Sequence, residues 1–130
     1  MNFRLKTSKA TMDILLDLKN KTNITPNILA RLAIALSLKN QNPLEDIAHD
    51  SMGLEFSRAV LTGKYDLLFK ALIIRYEGRE LTDEEYFPKY IKLHLERGAK
   101  MLMNEYKYAG NYEKFIINLA NYRPSMFDLL

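Results

Sequence analysis

The stretch from Ile28 to Leu38 limits most strongly what this chain can fold into, because only Arg31 and Ser37 within it are polar. Thr25 and Pro26 precede it, and a hydroxyl cap followed by proline at the first helical position marks a helix start. A helix that is apolar nearly all round must be buried on several sides. One core cannot easily use all of this surface, so later helices and a second copy of the chain are both candidates to cover it.

The residues before this helix have the order of a ribbon-helix-helix unit. Phe3 to Thr7 alternates apolar and polar, which is typical of a short half-exposed strand, although an extended lead-in fits as well. Ser8 then offers an N-cap for an amphipathic helix that ends near Asn23. In ribbon-helix-helix proteins two copies pair their strands, and the second helix begins against a phosphate. A plain helical hairpin is the alternative.

The rest of the chain is interpreted as further helices separated by proline, glycine and asparagine. The sequence predicts a mainly α fold with about six helices and at most one short strand. At 130 residues it fits a single domain. Its parts are the basic ribbon-helix-helix-like unit (1–40), a helical remainder (41–121) and an apolar tail (122–130). The helices expected after the first two occupy 43–48, 54–61, 64–76, 88–106 and 111–121.

Composition excludes several classes of site and compartment. The chain contains no cysteine, so it has no disulfides, no thiolate nucleophile and no cysteine-ligated metal. No apolar run approaches the roughly 20 residues that cross a bilayer, and the first residues lack the features of a signal peptide. We expect a soluble cytoplasmic protein without a membrane partner.

Positive charge is concentrated in the first third of the chain. Residues 1–40 contain seven lysines and arginines against two aspartates, while the whole chain carries a net charge of only +3. Such asymmetry indicates that a polyanion, namely nucleic acid, meets the N-terminal segment; a solvated lysine-bearing face is the simpler interpretation.

Residues with the spacing of a catalytic or metal site are missing from the sequence. His49 and His94 lack helical partners at ligand spacing, and the acidic run Asp83 to Glu85 suits a helix start. His94 to Gly98 is an unusually polar cluster within a long apolar helix. Adjacent Glu96 and Arg97 point to different sides of a helix, and a mid-helix glycine usually permits close packing. We expect this cluster to serve folding, with no catalytic residue, metal or cofactor.

Four separated blocks, in the same order, make the sequence similar to one known family. It resembles DndE, the small subunit of the bacterial DNA phosphorothioation (DNA sulfur modification) system. The blocks are Arg4 to Ser8, Leu18-Lys19 leading to Thr25 to Arg31, Gly53 to Arg58 with Leu61 to Gly63, and His94 to Gly98.

The resemblance implies a mainly helical subunit related to ribbon-helix-helix proteins that assembles as a homotetramer. The apolar surface of Ile28 to Leu38 by itself leads us to expect a homo-oligomer, with a dimer as the fallback. It also implies binding to duplex DNA, preferably nicked, and cooperation with the other proteins that replace a phosphate oxygen by sulfur. The subunit is not expected to perform that chemistry, and the absence of cysteine independently agrees.

The resemblance and the charge pattern together indicate the candidate DNA-binding residues. Arg4, Lys6 and Lys9 match the basic start of the family and are the foremost phosphate contacts. Backbone amides at the start of the second helix are further candidates. The remaining positions are Lys19, Lys21, Thr25, Asn27 and Arg31.

Two alternatives belong to other functional classes. A ribbon-helix-helix repressor or antitoxin would read base edges through Arg4 and Lys6, but no ligand-binding or toxin-binding segment is evident in the remaining residues. A nuclease would use His94 with Glu96, or the acidic run, but DNA hydrolysis generally needs metal ions held by converging carboxylates.

Overall fold

The computed structural model describes residues 3–122, which form six α-helices and one two-stranded antiparallel sheet. This confirms the predicted mainly α class. A 3-10 turn at Gly63–Tyr65 and a π-helix at Glu85–Ile91 connect elements. Most of the predicted tail, residues 123–130, lies outside the described residues. The elements are β1 (Arg4–Lys6), α1 (Lys9–Thr22), α2 (Pro26–Lys39), β2 (Glu55–Ser57), α3 (Arg58–Leu61), α4 (Asp66–Glu77), α5 (Lys92–Ala109) and α6 (Tyr112–Ala120).

Local capping explains the boundaries of the first two helices. The Ser8 hydroxyl accepts from the Thr11 amide at 3.1 Å, as an N-cap side chain does. Asn23 ends α1 in the left-handed conformation with φ of 61°, and Pro26 opens α2 after Thr25. The predicted strand-helix-helix order is therefore present.

Helix α2 lies at the centre of the fold and is covered largely by its own chain. Six of its residues are buried, and α5 packs along it. Gly98 of α5 makes this possible, because a Cβ there would lie 1.8 Å from the Ala33 carbonyl oxygen. Of the two candidates to cover this helix, a later helix of the same chain does so, because the close approach of α5 buries most of its apolar surface. Only Ile28 remains as a large exposed apolar residue of α2.

Strand β1 pairs with β2 of the same chain. The sequence predicted a helix over 54–61, the range that contains β2. The register aligns Arg4 with Ser57 and Lys6 with Glu55, while Leu5 and Phe56 are buried together. Pairing with β1 overrides the helical spacing of these residues, and only 58–61 are helical. The structure thus contains a second strand, where at most one was expected, and this edge of β1 is occupied without a second copy.

The segment between α2 and β2 is not helical, so the helix predicted at 43–48 is wrong. Polar contacts from other elements hold its backbone instead. The Arg97 guanidinium donates to the Asn42 carbonyl at 2.7 Å, and the Lys92 ammonium donates to the Asp50 carbonyl at 3.0 Å.

The long helix α5 starts at Lys92, later than predicted, because a π-helix occupies the residues before it. Thr82 and Glu85 form a capping box, each side chain accepting from the other's backbone amide at 3.1 and 3.2 Å. Pro88 lies in the π-helix that follows, where its missing N–H is accommodated before α5 starts at Lys92. No helix within residues 3–122 is long and apolar enough to cross a membrane.

Candidate nucleic-acid interface

The exposed face of the small sheet carries the first two predicted phosphate contacts. Arg4 and Lys6 point outward from β1 on either side of buried Leu5. The Arg4 guanidinium lies 3.8 Å from the carboxylate of Glu55 on the neighbouring strand, and the side chain remains 62% exposed. Because this ion pair is exposed and long, it leaves the Arg4 charge available to a phosphate.

Lys9 and Lys21 lie at opposite ends of α1, each paired with an aspartate one turn away. The Lys9 ammonium lies 3.0 Å from Asp13, and the Lys21 ammonium lies 3.1 Å from Asp17. Such exposed pairs at i,i+4 spacing contribute only a few tenths of a kcal/mol, so a phosphate can replace the aspartate as partner. The two aspartates nevertheless reduce the positive potential along this helix.

The turn between α1 and α2 is flanked by three further candidates, Lys19, Thr25 and Asn27. Lys19 is exposed on the last turn of α1, and Thr25 is the exposed N-cap residue of α2. The first helical hydrogen bond of α2 joins the Leu29 amide to the Thr25 carbonyl. The amides of Asn27 and Ile28 come before the first helical hydrogen bond, so they have no acceptor within the helix and can donate to an anion.

The Arg31 side chain forms hydrogen bonds within the protein, which the sequence did not predict. Its guanidinium donates to the carbonyls of Val60 and Leu61, both at 3.2 Å, at the end of α3. The side chain therefore joins α2 to α3 and is the least available of the predicted contacts.

The predicted residues thus form two groups rather than one patch. The first group lies on the sheet and at the start of α1 and consists of Arg4, Lys6 and Lys9. The second lies at the end of α1 and the start of α2 and consists of Lys19, Lys21, Thr25 and Asn27. Ten residues of helix separate Lys9 from Lys19, which corresponds to about 15 Å.

A groove between α1 and α5 adds cations that the charge count over residues 1–40 missed. Lys100 and Lys107 are exposed on α5 and, with Asn104, line a groove of about 500 Å³ beside Asp13 and Asp17. Their helical spacing was visible in the sequence, but their position beside α1 depends on the fold.

The polar block of α5, His94 to Gly98, is used for packing. The buried Glu96 carboxylate accepts from the Ser8 amide at 2.8 Å and from the Thr11 hydroxyl at 2.7 Å. On the other side, Arg97 donates to the hydroxyl and the carbonyl of Ser37 at 2.9 and 2.7 Å. The two adjacent side chains diverge as predicted, one capping the start of α1 and the other the end of α2.

His94 is fully buried, and its Nδ1 lies 2.8 Å from the Ser37 hydroxyl oxygen. Because Arg97 donates to that oxygen, the Ser37 proton is directed to Nδ1 of a neutral imidazole. Burial, with the nearby Arg97 charge, lowers the pKa of His94 to about 3. A histidine in this position has no access to solvent or to a DNA strand.

The third family-like block contains Arg58, the centre of a partly buried network of ion pairs. The guanidinium contacts Asp66 at 2.7 Å and Asp83 at 3.2 Å. Burial opposes ionisation of Asp66, yet hydrogen bonds from Arg58, Thr62 and Tyr86 hold the pKa of its carboxyl below the ordinary value. Asp83 forms ion pairs with Arg58 and Lys70. Residues 3–122 contain no cluster of three or more side chains suited to a metal ion.

Comparison with known proteins identifies the family. The model of the family described as "DNA sulphur modification protein DndE" matches residues 4–110. The chain belongs to the DndE family. This confirms the family that the four sequence blocks indicated. No curated protein matches the chain.

A solved DndE structure also resembles the fold. It is the crystal structure of DndE from Escherichia coli B7A, described as involved in DNA phosphorothioation modification. The two chains are 27% identical, the TM-score is 0.63, and the match covers 76% of this chain and 95% of the other. Both candidate groups fall inside the DndE match, whereas α6 lies beyond its last residue.

Proposed function

We propose that this DndE-family protein is a non-catalytic DNA-binding subunit of the DNA phosphorothioation machinery. It binds duplex DNA through phosphate contacts and assists the other modification proteins as they introduce sulfur into the backbone. The preference for nicked duplex and the cytoplasmic location follow from the resemblance and remain parts of this proposal. The observation that carries it is the exposed Arg4 and Lys6 on a sheet that lies within the family match.

The binding mode follows from where the cations lie. Arg4, Lys6 and Lys9 contact one stretch of backbone, and Lys19, Lys21 and the first amides of α2 contact another about 15 Å away. Contacts of this kind position the duplex without reading its sequence. Arg31 supports the surface by holding α3 against α2.

A binding assay with nicked, intact and random-sequence duplexes tests this function. We expect binding to all three, strongest for the nicked duplex, and no cleavage when magnesium is added. A folded protein that binds none of them, or a metal-dependent cleavage reaction, contradicts the proposal.

Assembly into a homo-oligomer, with a tetramer favoured by the resemblance, is a further part of the proposal. Its support is an exposed apolar row on α4, where Leu67, Leu68 and Leu72 are 83, 57 and 39% exposed. Apolar patches of this kind commonly mark contacts between proteins. Joining copies would also place several cation groups on one particle and strengthen DNA binding through effective concentration.

Two exposed leucines provide a matched test of assembly. Leu68→Glu should dissociate the oligomer and weaken DNA binding, whereas Leu16→Glu, on the exposed side of α1, should leave the oligomer intact. Sedimentation of both variants at micromolar concentration distinguishes them. A wild-type monomer under these conditions contradicts this part of the proposal.

The ribbon-helix-helix repressor or antitoxin is the less well supported alternative. Pairing between copies is its usual way of building a DNA-reading ribbon, and here one edge of β1 is paired with β2. Strong binding to one operator sequence, and none to random duplex, would favour it.

A further inference from the structure

A cavity lies at the end of the two-stranded sheet, next to the proposed DNA-binding face. Its volume is about 370 Å³, and it is lined by Phe3 and Arg4, by residues 57–59, and by Gly63 and Asp66. Cavities that hold small ligands begin at about 300 Å³. We propose that this cavity binds an unpaired nucleotide of DNA, a deepening that rests on the DNA-binding function proposed above.

Two flat groups line the cavity, the Phe3 ring and the Arg58 guanidinium. The Phe3 ring lies 5.8 Å from the Arg58 guanidinium carbon, and that guanidinium lies 5.1 Å from the Tyr86 ring. Arg58 is fixed in this place because Asp66 and Asp83 both pair with it. Tyr86 is fully buried and does not line the cavity. The Phe3 ring beside the fixed guanidinium therefore provides the stacking surface, which accepts any base.

The charges of the cavity determine which end of the nucleotide enters. Arg58 is already neutralised by two aspartates, and the Asp66 carboxylate lines the cavity itself. A phosphate placed beside Asp66 would be repelled. Arg4, in contrast, is exposed and holds Glu55 only at 3.8 Å. The base therefore enters the cavity against Phe3, and its phosphate stays outside on Arg4.

Arg4 also connects this cavity to the rest of the interface. Within residues 3–122, it is the one side chain that both lines the cavity and belongs to the predicted phosphate contacts. A duplex held by Arg4 and Lys6 would have its backbone at the cavity entrance. A paired base cannot leave its stack without cost, whereas an unpaired one enters freely, so the cavity discriminates between the two.

The experiment compares a fully paired duplex with the same duplex carrying one unpaired 2-aminopurine nucleotide. We expect the wild-type protein to bind the second duplex about five- to a hundredfold more tightly, the gain from stacking one base. The 2-aminopurine fluorescence should fall on binding. Phe3→Leu keeps apolar volume but removes the ring, and should abolish both the preference and the quenching, whereas Phe3→Trp should retain them.

A second pair of variants tests the cavity without altering Phe3. Ala59→Phe fills the cavity from an exposed position and should remove the preference, while Ala120→Phe, exposed on α6, should not. Equal wild-type affinity for the two duplexes, or an unchanged preference in both Phe3→Leu and Ala59→Phe, overturns the inference while leaving duplex binding in place. Failure to bind either duplex refutes the proposed function itself.

Discussion

The polar block of α5 and the basic start of the chain use similar residue types in opposite ways. Glu96 and His94 are buried, and their neighbours are hydroxyls and amides of α1 and α2. Arg4 and Lys6 are exposed, and Arg4 has only a long ion pair with the next strand. The first set makes its hydrogen bonds within the protein, while the second can exchange water for a ligand.

This difference separates residues that hold the fold from residues that suit a partner. A buried group whose hydrogen bonds are all internal costs stability when it is removed, because its partners lose theirs. An exposed cation costs little stability, so its effect is expected in binding. Substitutions in the two regions should therefore affect different measurements.

Glu96→Ala should produce the largest loss of stability. It leaves the Ser8 amide and the hydroxyls of Ser8 and Thr11 without their buried acceptor. We expect the free energy of unfolding to fall by about 3–5 kcal/mol, because three buried donors lose their acceptor and each costs about 1–3 kcal/mol. Urea denaturation measures it, with the exposed Glu113→Ala as control. A loss below about 1 kcal/mol would mean that the carboxylate does not hold α1.

Gly98→Ala should be nearly as damaging, although it adds only one methyl group. That group would lie 1.8 Å from the Ala33 carbonyl oxygen, so α2 and α5 must move apart. We expect a loss of about 3 kcal/mol, at the upper end of ordinary overpacking. Thermal unfolding compared with Lys100→Ala, a nearby exposed position, tests this. Unchanged stability would show that the helices separate at no cost.

Acid should destabilise the protein through His94. Its pKa is about 3 in the folded chain, against an ordinary value of 6.5. Between these values the unfolded chain binds a proton that the folded chain excludes, so stability falls as pH decreases through this window. The loss reaches about 3 kcal/mol near pH 4.

The neutral variant His94→Gln isolates this contribution. Its unfolding free energy should fall less between about pH 6.5 and pH 4 than that of the wild type, since the carboxylates are common to both. Parallel pH profiles for the two proteins would contradict the assignment of a neutral buried histidine.

Much of the fold was predictable wherever a local signal decides the structure. Ser8, Asn23 and Pro26 set helix ends through hydroxyl capping, a left-handed residue and a missing N–H, all of which are properties of single residues. Strand β2 and the non-helical segment 43–48 were not predictable in this way. Their structure depends on pairing with β1 and on side chains of α5.

The candidate interface was predictable only as a set of charges. The sequence indicated Arg4 and Lys6, but it did not show that Arg31 binds the carbonyls of α3. It also missed Lys100 and Lys107, which the fold places beside α1 from about 90 positions away. Which charged side chains lie close together can be known only from the tertiary structure.

The basic start of the chain should show the smallest effect on stability and a large effect on binding. Replacing Arg4, Lys6 and Lys9 together with alanine removes exposed side chains, so the unfolding free energy should hardly change. DNA affinity should fall similarly for all duplex sequences, because phosphate contacts carry no base information. Lys64→Ala, an exposed lysine of the 3-10 turn, is the matched control.

The salt dependence of duplex binding tests the central claim most directly. For the wild-type protein and the Arg4, Lys6 and Lys9 triple variant, the observed binding constant is measured across salt concentrations by fluorescence anisotropy. Removing one phosphate-neutralising side chain should flatten the slope of log affinity against log salt by about 0.9. The account predicts a slope shallower by about 2.7 in a fully folded triple variant. An unchanged slope and affinity would show that this face does not bind DNA.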